Sequence, residues 1–234
     1  MARSSLIRLF ALAALWGGSF LFIRIAAHDI PAPLLMFARA AVAAIILFVV
    51  GGLPARDAKT IKHLFIVGIT NSAVPFVLIA VAAHTLGASV CSVLNASSPA
   101  FAALIGALVA RTLPSLRTSA GLAIGLIGVA ITASSAIESS SSLASVDATR
   151  AILAALASIG AAVCYGIAGV YTKRANVSVS PMHTSSGSMG AAAVALAVPA
   201  LWAVVTSSSS PSEHAFGTPG EWGAVLALAI LCTA

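Results

Sequence analysis

Ionic side chains are scarce: Asp, Glu, Lys and Arg make up 8% of the 234 residues, against 60% hydrophobic residues and a mean hydropathy of +1.07. That scarcity excludes a water-soluble domain, whose surface needs far more charge. It leaves several separate apolar runs of roughly 20 residues, the length that a hydrocarbon layer about 30 Å thick demands. Acids are scarcer than bases, six against twelve, so the formal charge is +6 and the pI near 9.9. In a soluble chain this would point to nucleic acid. Here the bases lie between apolar runs and act as orientation signals, so no nucleic-acid partner is expected. Cysteine is limited to Cys91, Cys164 and Cys232, all inside apolar segments without CxxC or Cys/His spacing, so neither a disulfide framework nor a metal site follows. Also missing are an Asp-rich prenyl-diphosphate motif, GxSG with a partnering His, HExxH and GxGD, which argues against an intramembrane enzyme. No cofactor is implied.

What is present is a succession of apolar helices, and the most informative runs from Val90 to Val109. It carries no charge, yet holds Asn95, Ser97, Ser98 and Pro99 near its middle. A helix facing only lipid would not. Each polar group in hydrocarbon needs an internal partner, and Pro99 removes one backbone donor and frees a carbonyl a turn earlier, so this helix is expected to face protein or a cavity. The other spans expected are Leu6 to Ala26, Pro33 to Gly51, Ile61 to His84, Leu116 to Ala136, Ala151 to Tyr171 and Met182 to Val205. Gly121, Gly125 and Gly128 give the fifth span the small-residue spacing of a close helix crossing. Glu138–Thr149, with four consecutive serines, and Thr206–Gly220 read as loops. The last run, from about Glu221 to Ala234, covers about 21 Å at helical rise and is too short to span. Basic residues precede the first run as in a signal peptide, but without a cleavage site it reads as an uncleaved helix. The fold class expected is an all-α, polytopic membrane helix bundle of about eight helices.

With the N-terminus in the cytoplasm, the inner connections collect Arg3, Arg8, Arg56, Lys59, Lys62, Arg111, Arg117, Lys173 and Arg174, nine of the twelve bases. A weak repeat appears at a shift of about 149 residues. Leu15-Trp16-Gly17 and Arg24 fall opposite Cys164-Tyr165-Gly166 and Lys173, and Pro31 opposite Pro181. Five helices per repeat is an odd number, so the second copy enters from the other side, the inverted arrangement of secondary transporters. The expected division is 1–137 for the first repeat, 138–149 for an outer Ser-rich loop, and 150–234 for an incomplete second repeat.

Leu15-Trp16-Gly17-Gly18-Ser19-Phe20, Pro33 with Phe37-Ala38-Arg39, Asn71-Ser72-Ala73-Val74-Pro75-Phe76, Leu94-Asn95-Ala96-Ser97-Ser98-Pro99, and Gly121 with Gly128-Val129 follow one another across about 110 residues. In that order they resemble the EamA-type, ten-helix carriers of the drug/metabolite transporter superfamily. The family's Glu at the inner end of the fourth helix is replaced by Thr112 beside Arg111. The resemblance also implies helices beyond the eighth. It implies a secondary transporter in the inner or plasma membrane, an exporter of small polar metabolites or amino acids by alternating access, with proton coupling and a homodimer as open options. A non-transporting membrane scaffold or degenerate paralogue is the alternative.

Arg39 is the only charge well inside an apolar span, where a charge normally faces a cavity or a partner. It either receives a substrate carboxylate or binds helix-end carbonyls and locks the bundle. Trp16 and Tyr165 occupy paired positions of the two repeats. Asn71, Ser72 and Pro75 offer hydrogen bonding and a local helix break. The expected substrate path is therefore Trp16, Arg39, Asn71, Pro75, Asn95, Pro99 and Tyr165. None of the six acids lies deep in a span, so proton coupling would use His84, a residue in helices beyond the eighth, or be absent altogether.

Overall fold

The computed structural model describes residues 3–143, 148–175, 177–207 and 217–233, and among them every regular element is a helix. In chain order these are α1 Arg3–Ala26, α2 Ala32–Gly51, α3 Ala58–Thr85 and α4 Ala88–Ala110. Then follow α5 Leu116–Leu143, α6 Ala148–Arg174, α7 Pro181–Ser207 and α8 Pro219–Cys232. The first seven are apolar and long enough to cross a bilayer, and α8 is a shorter apolar helix. Large apolar side chains such as Phe10, Val49, Ile124, Val198 and Trp202 point outward. Only a lipid surround makes that arrangement stable, and the chain is a multi-pass membrane protein.

Two helices break where proline removes a backbone donor. Pro75 cannot bond the carbonyl a turn back, and α3 absorbs the fault as a π turn over Ile69–Ala73, with Val74 N donating to Ile69 O. In α4 the ladder tightens around Ala96 and Ser97. There the Ser97 hydroxyl donates to Leu94 O at 2.6 Å and the Ser98 hydroxyl to Asn95 O at 2.5 Å. The two serines thus satisfy carbonyls that Pro99 disturbs. Asp57 caps α3 by accepting from Thr60 N at 3.0 Å. These bonds to Thr60 hold its carboxyl below the ordinary range.

Contacts between helix ends give the direction of each helix. The Arg24 guanidinium of α1 donates to Ala83 O and His84 O, so the C-terminal ends of α1 and α3 share one side. At the other side Arg174 donates to Val109 O at 3.3 Å, and the His183 ring Nε2 bonds Gly51 O at 3.0 Å. There the ends of α2, α4 and α6 meet the start of α7. Helix α6 therefore runs opposite to α1. Lateral packing follows the same pattern: α1 lies on α8 as α6 lies on α3, α8 lies on α2 as α3 lies on α7, and α2 packs against α7. When α1, α2 and α3 are exchanged with α6, α7 and α8, the contacts within each of the first two pairs interchange and the α2–α7 contact maps onto itself.

Two expectations need correction. The Ser-rich loop 138–149 is mostly helix, since α5 continues through Leu143 and α6 begins at Ala148. Serine is only mildly unfavourable to a helix already nucleated, so the polar run prolongs α5 instead of ending it. Residues 144–147, and 208–216 of the second expected loop, lie outside the described residues. Gly121, Gly125 and Gly128 do not mediate a crossing: a Cβ at any of them would meet nothing within 4 Å. Close backbone approach occurs elsewhere, at Gly68, where a Cβ would stand 2.6 Å from Ser188 O of α7, and at Gly166 against Ala102 N of α4.

Candidate functional site

Helix α2 buries one face, Leu35, Met36, Arg39, Ala40 and Ala43, and so carries a guanidinium into the junction of α2, α3, α6 and α8. Arg39 is 6% exposed. Its Nε donates to Thr233 Oγ1 at 2.8 Å, and that hydroxyl donates in turn to Leu228 O at 3.0 Å. Its Cζ lies 3.8 Å from the centroid of Phe76, a cation–π contact. Tyr165 of α6 and Cys232 lie within electrostatic reach of it. Among the described residues no carboxylate pairs with Arg39, and its four Nη–H donors have no acceptor. A buried cation with fixed orientation and open donors has the geometry to accept a planar anion such as a carboxylate.

Of the seven path residues expected, Arg39 and Tyr165 come together here. Pro75 adjoins Phe76 and is itself fully buried, so the π turn fixes the ring that stacks on the guanidinium. Asn95 sits at the α4 break with its Oδ1 buried and unpartnered. Trp16, Asn71 and Pro99 present exposed side chains. His84, the proton-coupling candidate, is exposed, and its carbonyl accepts from Arg24. Helix-end carbonyls are bound by Arg24 and Arg174, whereas the hydrogen bond of Arg39 goes to a hydroxyl.

Two features escaped the sequence reading. His63 is 4% exposed, stacks on Tyr171 with ring centroids 5.5 Å apart, and has a buried, unpartnered Nδ1. Thr60, His63, Leu64 and Val67 share the buried face of α3, and that i, i+3, i+4, i+7 spacing was the available signal. Glu221 is 6% exposed and closes a capping box with Thr218, announced by the Thr-x-x-Glu spacing. Its Oε1 also accepts from Asp29 N at 3.2 Å and lies 3.7 Å from His28 Nδ1. His28, Asp29 and Glu221 hold ligand-type atoms within 4.8 Å of one another. The Glu221 oxygens are nevertheless committed to Thr218 and Asp29, so the trio pins α8 to the α1–α2 turn.

The model of the EamA-like transporter family matches residues 3–134, which is α1 through most of α5. No curated protein and no solved structure gives a significant match. Helix order, the two proline breaks and the buried arginine of α2 all fall within the matched segment, and the chain belongs to the EamA-like transporter family.

Proposed function

We propose that this transporter moves a small polar metabolite or amino acid by alternating access, exporting it across the inner or plasma membrane. Its carboxylate is received by Arg39. The observation that carries this reading is the state of that guanidinium: buried, stacked on Phe76, and facing no anion among the described residues. An unpaired buried charge is costly to keep, and an anionic solute offsets that cost during each cycle. The exchange relation between α1–α3 and α6–α8 supports two inverted repeats, with the division at 138–149, rocking about a shared interior. The N-terminus is cytoplasmic on this reading, which puts Gly51–Asp57, Arg111 and Arg174 inside.

The test is counterflow in proteoliposomes preloaded with a panel of unlabelled amino acids and small carboxylates, each assayed with its labelled form. Accumulation of at least one carboxylate-bearing solute above protein-free liposomes is expected. A folded, monodisperse preparation that exchanges none of the panel but exchanges neutral or cationic solutes would overturn the assignment of Arg39.

A further inference from the structure

At the end of the bundle where the bases collect, the α2–α3 connection arches over a cleft between α3 and α7. The cleft encloses about 360 Å³, at the low end of the roughly 300–1,000 Å³ of small-molecule sites. Its walls are apolar, formed by Phe48, Leu53, Leu64, Phe65 and Val194, and Arg56 is the only charged residue lining it. Lys59 and Lys62 follow on the first turns of α3, both exposed. None of these three bases has an anionic partner: the ion pairs among the described residues are those of His28, and the Asp57 carboxylate is committed to Thr60. Arg56, without a counter-anion among the described residues, thus stands against an oily slot, and Lys59 and Lys62 lie outside its lining on the adjoining turns of α3.

We infer that this cleft is a binding site for one anionic phospholipid of the leaflet at the basic end. An acyl chain lies between Phe65 and Val194, and the phosphate sits against Arg56, with Lys59 and Lys62 adding attraction. The chemistry fits both halves. An apolar wall alone would take any lipid tail, and a basic patch alone any anion. The two together select a molecule with a fatty tail and a negative head, and a basic pocket at a membrane surface is where such head groups bind. The inference is independent of the solute carried and of the role of Arg39.

Native mass spectrometry of the detergent-purified full chain, titrated with phosphatidylglycerol or phosphatidylcholine, tests it. Wild type is expected to retain one phosphatidylglycerol and to prefer it over phosphatidylcholine by at least about tenfold. At about 1 kcal/mol per base, Arg56→Gln is expected to weaken retention about fivefold and the triple Arg56→Gln, Lys59→Gln, Lys62→Gln about a hundredfold. Val194→Trp, at an exposed position that fills the slot while leaving every charge, is expected to abolish retention. Soluble glycerol phosphate should not compete. Equal binding of the two lipids, retention unaffected by the triple substitution in a monodisperse protein, displacement by glycerol phosphate, or a second copy of the chain in place of lipid would each overturn it.

Discussion

Four of the five N–H donors of Arg39 have no acceptor among the described residues, and its one hydrogen bond goes to a neutral hydroxyl. Arg39→Gln removes a charge-assisted pair worth about 1.5–3 kcal/mol, so solute binding should weaken roughly 10- to 150-fold, read by counterflow or equilibrium binding. Arg39→Lys keeps the charge but loses the planar fork and much of the contact with Phe76, and should fall between the two. His63 behaves differently because its ring rests on Tyr171 while Nδ1 is buried without a partner. His63→Phe keeps an aromatic stack and removes the unpaired nitrogen, so it should unfold at a higher temperature in detergent than His63→Gln, which keeps polarity and loses the stack. Arg39 was legible in the sequence because a charge inside an apolar span has few explanations. His63 was not, since Lys59 and Lys62 on the same turns made the stretch look like a membrane surface, and the buried spacing from Thr60 to Val67 went unread.

At the scale of helices, proline determines the unusual turns and serine repairs them. Ser98→Ala should destabilise by about 0.5–1.5 kcal/mol because the Asn95 carbonyl loses its donor. In a Pro99→Ala background, where a backbone N–H returns to that carbonyl, the same change should cost much less. A double-mutant cycle of unfolding in detergent measures that coupling, and an additive result would separate the serine from the proline. Gly68→Leu should be among the most damaging substitutions in α3, since its first carbon already meets the Ser188 carbonyl at 2.6 Å. The breaks in α3 and α4 were readable because Pro75 and Pro99 sit among hydrogen-bonding side chains. The extension of α5 through its serines and the open face at Gly121, Gly125 and Gly128 were not. Small-residue spacing says that a neighbour can come close, and only the other helices decide whether one does.

For the molecule as a whole, apolar run length and the placement of bases were enough to count the spans, and an odd number of helices per repeat was enough to turn α6 against α1. The residues that meet at Arg39 were harder to read, because Phe76 and Tyr165 come from α3 and α6, Thr233 from the turn that ends α8, and nothing local in sequence joins them. If the bases orient the chain as proposed, reporters placed at 112–115 and 177–180 should both mark the cytoplasmic side, opposite to reporters within 144–147. The central claim, that a solute's negative head is held by the buried arginine, is tested most directly by competition between an amino acid exchanged by the wild type and its decarboxylated amine. The wild type should prefer the amino acid by at least about tenfold, and Arg39→Gln should lose that preference while remaining folded. Equal competition by the amine in the wild type, or an undiminished preference in Arg39→Gln, would contradict the account.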